Sequence, residues 1–430
     1  MKKISFASLM LAVFLGSCSN DSVPVVEQEV ESGDLVPISL GLNMGQADVS
    51  VTRGTGTVGG TTDPENVWNY ENLYVLMTTS DDDALEDPNA EWGFTSVKGE
   101  VLKEQFDNSF FARPKSVDRN GDTFWTLDYQ CDPNEGGNLK YYPTQGASDF
   151  FAYHVDDAAT AVDANGNPEI QMSNNAITVD FTMDGSQDLL VGQADASATT
   201  AINPKDENDQ DVKGFSAKTA RANMIPNIKM EHQLSRLTFT LKNGNAMTAG
   251  VTVKSISVKS KYKGTMTVAA KENSAELGVN FVDEYTRLYL KEKMDPTAPG
   301  YFVNSLSQGK CPLVDFTPIV MDGATDVEAG EALFISSGDK EYTLYVQVEY
   351  AIENNGVPTV EPKEIEIKFQ HPDKTSAFEE GMSYHLNVTI YGLEEIVIDT
   401  QLEKWNEVED DIDVDSDGIQ THPDGSEEKH

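Results

Sequence analysis

The thiol of Cys18 is the first side chain in the sequence with a definite chemical use. It follows Leu15, Gly16 and Ser17, the small-residue pattern that precedes a lipidated cysteine. Lys2 and Lys3 open the chain and a short apolar run follows over residues 9–15, which is too short to span a bilayer and is typical of a signal peptide. We therefore predict a bacterial lipoprotein, with residues 1–17 as the signal peptide and fatty acyl chains such as palmitate on Cys18. Each buried CH₂ of an acyl chain contributes about 0.8 kcal/mol, so two or three chains hold a membrane firmly.

The Arg53–Gly54 bond is the second position suited to chemistry, because an exposed arginine in a glycine-rich stretch favours proteolysis. Between Cys18 and this bond lie an acidic tether over residues 19–34 and a stretch that alternates apolar and polar residues from residue 36. That period of two predicts a half-buried strand whose apolar side chains share one face. These side chains are Ile38, Leu40, Leu42 and Met44. The reading that Arg53 is an ordinary loop residue and that the strand stays in place is left open.

Loss of such a strand would have a definite physical result. Its neighbours would be left with unpaired N–H and C=O groups beside an apolar slot, which is a template for the addition of another strand. Burial of four apolar side chains in the slot would contribute on the order of 1.5–3 kcal/mol for each of them. Residues 18–53 are therefore predicted to be a lipidated leader with a removable first strand.

Two further motifs match the sequence patterns of known binding sites but lack the flanking elements that binding requires. The run from Gly54 to Gly59 fits the dinucleotide fingerprint, but Pro64 and its neighbours cannot open the helix that would receive a pyrophosphate. The run from Asp413 to Asp424 imitates a calcium loop, but it lacks the bidentate glutamate and flanking helices. We expect a flexible loop in the first case and a solvated acidic tail in the second, where weak calcium binding stays open.

No constellation of residues in the sequence indicates catalysis. The six histidines are scattered without metal-ligand spacing, and His232 and His385 fall in or beside predicted strands, where packing is the expected role. There is no Gly-x-Ser-x-Gly elbow, and neither Cys131 nor Cys311 has a histidine nearby in the sequence. We therefore predict no enzyme, no catalytic residue, no cofactor and no metal. A disulfide between Cys131 and Cys311 stays open.

The charge of the chain excludes one large class of partner. The 430 residues carry a formal net charge of −41, and loss of Lys2 and Lys3 with the signal peptide would make it −43. Nucleic-acid binding requires basic stripes for the phosphates, so the chain is not expected to bind nucleic acid. Anionic lipid would repel the chain as well, so the acyl chains on Cys18 would have to supply the attachment to the membrane.

The rest of the chain reads as short strands separated by turns, with no long helical period. Apolar or alternating runs recur from Leu73–Met77 to Ile396–Ile398, which predicts an all-β protein made of β-sandwiches. Residues 193–225 lose this pattern and indicate a loop that ends at a domain boundary near Pro226. The predicted organisation is an N-terminal sandwich over 54–225, a C-terminal sandwich over 226–406 and an acidic, disordered tail over 407–430.

Several segments, taken in order, resemble the fimbrillin-like proteins. The order and spacing carry this resemblance, which covers roughly residues 18 to 406, and no single motif is specific. The segments are the lipidation motif, Tyr141–Pro143 with Phe150–Tyr153, Asp188–Val191, Met230–Phe239, Gly381–Val388 and the late Trp405.

The resemblance implies a pilin-like subunit with two tandem transthyretin-like antiparallel β-sandwich domains. It also implies export as a lipoprotein precursor to the outer membrane and the fimbrium, where a trypsin-like protease cuts after an arginine and removes the first strand. A strand from another fimbrial subunit would then fill the groove, with a role in cell adhesion to a host or bacterial surface. A tip, stalk or anchor role and the identity of the donor strand stay open.

One alternative belongs to a different class of function. The protein could be a monomeric surface glycan-binding lipoprotein of a nutrient-uptake system that keeps its whole N-terminus. Its sugar platform would use aromatic side chains such as Trp92, Trp125, Tyr141 and Tyr142, although the alternation places many aromatic residues in cores.

Overall fold

The regular secondary structure of the described residues is nearly all β-strand, mostly in antiparallel pairs, in a computed structural model. The all-β prediction is therefore confirmed. The structure describes residues 36–44, 73–79, 110–119, 122–128, 142, 146–155, 160–161, 168–173, 176–205, 209–244, 251–271, 276–293, 313–321, 326–354, 357–391, 396–403, 413–414 and 420–421.

The first sheet is closed and has seven strands in the order β1-β4-β3-β2-β5-β8-β9. All neighbouring pairs in it are antiparallel except β1 and β9, which run parallel. In chain order the strands are β1 (Gly41–Met44), β2 (Leu73–Thr79), β3 (Phe110–Arg119), β4 (Asp122–Asp128), β5 (Ser148–His154), β8 (Leu190–Ala194) and β9 (Asn227–His232).

Two open sheets of five strands each are built from the second half of the chain, and β10 and β22 in the first of them run parallel. The β10 sheet has the order β18-β10-β22-β23, with β19 also paired to β10, and the β11 sheet has the order β14-β11-β20-β21, with β17 also paired to β11. Their strands are β10 (Ser235–Asn243), β11 (Val251–Lys261), β14 (Tyr285–Tyr289), β17 (Ile319–Met321), β18 (Val327–Glu328), β19 (Leu333–Ile335), β20 (Glu341–Asn354), β21 (Val357–Gln370), β22 (Ser383–Ile390) and β23 (Ile396–Glu403).

A fourth sheet joins strands from both halves of the chain in the order β13-β12-β7-β6. Its strands are β6 (Ile170–Met172), β7 (Ala176–Thr182), β12 (Lys263–Ala270) and β13 (Gly278–Phe281). Two small ladders complete the strands, namely β15 (Lys291–Lys293) with β16 (Leu313–Asp315) and β24 (Asp413–Val414) with β25 (Gln420–Thr421). The disordered tail predicted over 407–430 therefore differs from the structure at the four residues of β24 and β25.

Two hydrophobic cores lie on opposite faces of β2, β5 and β8. Along β5, Phe150 and Ala152 belong to the core inside the closed sheet, whereas Phe151 and Tyr153 belong to the larger central core. A strand with apolar neighbours on both faces reads as a continuous apolar run, which explains the sequence of β5. We call these the closed-sheet core and the central core.

The central core contains side chains from both halves of the chain, from Tyr74 and Phe151 to Leu344 and Leu386. Residues 35–430 accordingly form one compact unit. Strand β9 follows the boundary predicted near Pro226 but pairs with β8 and β1, and β7 pairs with β12 across that boundary. The division into two sandwiches at 225/226 stays a prediction, and any such division would separate strands that share a sheet.

Candidate functional site

The first strand lies inside the closed sheet and has a neighbour on each side. It pairs in parallel with β9 at four positions, from Gly41 opposite Asn227 to Met44 opposite Met230, and with β4 at the single position of Gly41 opposite Thr126. Its removal would therefore leave two strands, β4 and β9, with unpaired backbone groups.

Backbone hydrogen bonds fix the chain where it enters this strand. The N–H of Tyr142 donates to the carbonyl oxygen of Val36 at 2.9 Å, and the N–H of Gly41 donates to the carbonyl oxygen of Pro226 at 2.8 Å. The continuous ladder begins at Gly41, later than the alternating sequence pattern would suggest. Pro37 has no N–H to donate, which agrees with the late start of the ladder.

Two of the four predicted strand side chains are described, and both are buried. Ile38 is 1% and Leu40 is 3% exposed, whereas Pro37 and Ser39 between and beside them are exposed. The alternation predicted for this stretch is thus confirmed at residues 37–40. Burial of these two side chains contributes about 3–6 kcal/mol. The side chains of Leu42 and Met44 lie outside the described part of the structure.

The pocket that holds Ile38 and Leu40 is lined by side chains from four permanent strands. We call this pocket the leader seat. Its lining combines bulky side chains with small ones, which leaves room for two branched aliphatic groups. The lining residues include Val75, Met77, Phe150, Ala152, Leu190, Ala194, Ile228 and Met230.

The segment predicted to be a loop over 193–225 completes the lining of the leader seat. Phe215 is buried against Phe150, with ring centroids 6.0 Å apart, and Ala196 is buried in the same core. The segment contains a 3₁₀ helix (Ser197–Ala201) and a short helix α1 (Ala217–Arg221). It is a packed cover over the closed-sheet core.

Local hydrogen bonds hold this cover in one conformation. Ser216 caps α1, because its hydroxyl accepts the N–H of Thr219 while the Thr219 hydroxyl accepts the N–H of Ser216. The Ser216 hydroxyl also donates to the Asn203 side chain at 2.8 Å, and the Asn203 amide donates to the Gly214 carbonyl at 2.7 Å. Such a capping box is typical of a helix start. The Ser216–Thr219 pair was therefore a signal in the sequence for this element.

A buried polar pair lies at the end of β9. Nδ1 of His232 is 2.9 Å from a carboxylate oxygen of Asp188, and both side chains are buried. Asp188 lies just before β8, so this contact ties the ends of two neighbouring strands. The packing role expected for His232 agrees with its burial. The other histidine expected to pack, His385, has its Nδ1 2.8 Å from the hydroxyl of Thr238 on the neighbouring strand.

One of the four aromatic residues predicted to form the sugar platform of the glycan-binding alternative is buried in the structure. Tyr142 is 1% exposed and packs edge-on against Phe150 at 6.0 Å, so the prediction of a sugar-facing Tyr142 is wrong. Its ring is needed in the closed-sheet core, which explains the burial. Trp92 and Tyr141 lie outside the described residues, as does the side chain of Trp125.

The other predicted site residues lie outside the described part of the chain. These are Cys18, Arg53 and Gly54, together with the two other cysteines, Cys131 and Cys311. Within the described residues no group of His, Cys, Asp and Glu is arranged to hold a metal ion. Among the same residues no helix is both long and apolar enough to cross a bilayer.

Comparison with known proteins gives one family and several structures of low similarity. The model of the fimbrillin-like family matches residues 103–405. A comparison with curated proteins finds no match.

Three solved structures illustrate the structural similarity. A candidate cell adhesion protein from Bacteroides uniformis ATCC 8492 is 13% identical with a TM-score of 0.39, over 88% of this chain and 100% of that one. A candidate cell adhesion protein from Bacteroides ovatus ATCC 8483 is 14% identical with a TM-score of 0.39, again over 88% and 100%. The fimbrial anchor protein Mfa2 from Porphyromonas gingivalis is 8% identical with a TM-score of 0.31, over 86% and 98%. Because these TM-scores lie below 0.5, the family assignment rests on the family model.

Proposed function

The chain belongs to the fimbrillin-like family, and on that premise we propose that it is a fimbrial subunit that assembles by exchange of its first strand. Membership of this family makes it a fimbrial cell-surface protein and not an enzyme. In the proposed pathway the precursor is exported as a lipoprotein, acylated on Cys18 and held at the outer membrane. Cleavage after Arg53 then releases the leader, and a strand of another subunit enters the leader seat. The assembled fimbria acts in cell adhesion.

The observation that carries this proposal is the position of the segment from Val36 to Met44. It fills an apolar seat with Ile38 and Leu40, pairs with β9 along all four residues of β1 and pairs with β4 at Gly41. Removal of a strand from inside a closed sheet creates a slot that one extended peptide can fill, which is the physics of donor-strand complementation. Arg53 follows the strand by nine residues, so cleavage there would free the whole segment from the rest of the chain.

Replacement of the arginine tests the processing step. We expect Arg53→Ala to leave export and folding intact and to abolish the polymer ladders that fimbriae give on gels. Arg53→Lys is the matched control, because a trypsin-like protease accepts lysine, and its ladders should be retained. N-terminal sequencing of wild-type surface protein should show a start at Gly54. Unchanged ladders in Arg53→Ala would contradict cleavage at this bond.

Replacement of the cysteine tests the membrane attachment separately. Cys18→Ser should abolish incorporation of labelled palmitate and release the protein from the outer membrane fraction. Cys131→Ser is the control that changes a cysteine elsewhere and should keep the label. Label retained in Cys18→Ser would contradict lipidation at this residue.

A further inference from the structure

The outward face of the β11 sheet carries a group of tyrosines that the assembly mechanism does not use. Along its strands alternate side chains such as Val258, Leu288 and Leu344 point into the central core. The intervening side chains point outward, and two tyrosines of β14 among them are well exposed. Tyr285 is 43% and Tyr289 is 49% exposed.

A third tyrosine lies on the same face two strands away. Tyr289 pairs with Ser257 of β11, and Ser257 pairs with Tyr345 of β20, so the three residues form one row across the sheet. Neighbouring strands are about 4.8 Å apart, which places Tyr289 and Tyr345 about 10 Å apart across the sheet. Tyr285 lies four residues along β14, about 13 Å from Tyr289. The three residues therefore span an area larger than one sugar ring.

Arg287 lies on the same face as these tyrosines and is held in place by contacts with Tyr345 and Glu364. Its guanidinium stacks on the Tyr345 ring with 3.7 Å between Cζ and the ring centroid, and it donates two hydrogen bonds to the Glu364 carboxylate at 2.7 and 2.9 Å. The hydrogen bond from Arg287 lowers the pKa of Glu364, and the same contact raises the pKa of Arg287. A stacked, bidentate guanidinium is pre-organised, so little side-chain entropy is lost when a ligand contacts it.

The charges on this face nearly cancel, unlike those of the chain as a whole. Lys259 and Lys261 lie 5.9 and 5.7 Å from the Tyr285 ring centroid, within the range of a cation–π contact. Five basic side chains stand against six acidic ones on the face and at its border, in a chain with a net charge of −41. They are Lys254, Lys259, Lys261, Arg287 and Lys368, and Asp283, Asp339, Glu341, Glu349, Glu364 and Glu366.

We propose that this tyrosine face, formed by Tyr285, Arg287, Tyr289, Tyr345 and Glu364, binds a neutral polysaccharide. The exposed rings of Tyr285 and Tyr289 can accept the apolar C–H faces of sugar rings, while Arg287, which is stacked on Tyr345, and Glu364 supply donors and acceptors for hydroxyl groups. An open sheet face suits an extended polymer, since small ligands are usually held in concave pockets. The balanced charge fits an uncharged partner, whereas a polyanion would meet long-range repulsion from the acidic chain as a whole. The inference is independent of strand exchange and supplies a ligand class for adhesion.

Affinity electrophoresis of the purified chain tests this proposal. The probes are laminarin, mannan and dextran as neutral polymers and alginate and heparin as anionic ones. We expect at least one neutral polymer to retard the wild-type protein, and we expect Tyr285→Ala and Tyr289→Ala each to weaken that binding about fivefold to tenfold. Arg287→Lys keeps the charge but loses the planar contact and should also weaken binding.

Two controls make the test decisive. Tyr391→Ala removes another exposed tyrosine, one that lies beyond β22, and should bind like the wild type. Wild-type assembly ladders in Tyr285→Ala would show that the tyrosine face and the leader seat act independently. Failure of every neutral polymer to bind, binding of the anionic polymers alone, or equal loss in Tyr391→Ala would each overturn the proposal. So would a change in oligomeric state in Tyr289→Ala without a change in polymer binding.

Discussion

Truncation of Leu40 should loosen the leader without loosening the closed sheet as a whole. Leu40 is 3% exposed, and a buried leucine replaced by alanine costs about 2–5 kcal/mol. Because Leu40 lies on the segment proposed to leave as a unit, most of this loss should appear as easier local detachment of residues 36–44. Each 1.4 kcal/mol is a factor of ten, so the population of the detached state should rise about 30-fold to 4,000-fold.

Native-state hydrogen exchange measures this effect directly, because it reports the free energy of local opening. In Leu40→Ala the amides of Gly41–Met44 and those of β9 that face them should exchange faster by that factor, while those of β5 should not. Ser39→Ala is the matched control, since Ser39 is the exposed residue between the two buried ones and its change should leave exchange within about a factor of two.

A second variant separates the leader from the permanent strands. Ile228→Ala removes a fully buried side chain from β9, in the same core as Leu40, and should speed exchange throughout the closed sheet. If Leu40→Ala instead raised exchange equally in β1 and β5, the leader would be an inseparable part of the sheet. That result would refute the reasoning that residues 36–44 detach as a unit.

Three further predictions concern other parts of the fold. Asp188→Asn and His232→Phe should each lower the free energy of unfolding by about 1–3 kcal/mol because each disturbs this buried hydrogen bond, while the double variant should lose less than the sum in a thermal or chemical unfolding cycle. Gly192→Ala should abolish soluble expression, since its Cβ would lie 2.1 Å from a backbone carbonyl of β9, and a soluble protein with wild-type circular dichroism would contradict this. Because the pKa of Glu364 is lowered, its pair with Arg287 stays ionised down into the pH range where carboxyl groups usually become protonated, so polysaccharide retardation should be constant from about pH 5 to pH 8 and fall only in stronger acid, as electrophoresis over a pH series would show.

Strands with a strong local pattern could be predicted from the sequence. The runs at Leu73–Met77 and Tyr342–Tyr350 coincide with β2 and β20, and the alternation at residues 37–40 matches the burial of Ile38 and Leu40. β3 could not be predicted, because it contains Pro114 and several charged residues, and its pairing with β2 and β4 outweighs its weak propensity.

The position of the leader within the sheet depends on contacts that are distant in sequence. Strand β9 alternates Ile228 and Met230 toward the core, but only its parallel pairing with β1 places it in the closed sheet. The cover over 193–225 is rich in small and polar residues, which predicted a loop, and its fit depends on Phe215 meeting Phe150. The tyrosine face likewise requires the register of three strands, which no single stretch of sequence specifies.

A removable strand inside a closed sheet controls the start of assembly better than a removable strand at a sheet edge. An edge strand leaves a free row of backbone groups whether or not it is removed, so unprocessed precursors could pair early. Among the described residues β1 sits between β4 and β9, where it pairs with Asn227–Met230 of β9 and with Thr126 of β4, so the row on β9 is occupied while the leader is in place. In the proposed pathway only cleavage and departure of the leader create a receptive slot. The leader is held by a short ladder and by two described buried side chains, Ile38 and Leu40, so a longer donor strand would supply enough binding free energy to offset its departure. The same arrangement that stabilises the precursor would therefore prevent it from assembling before it reaches the protease.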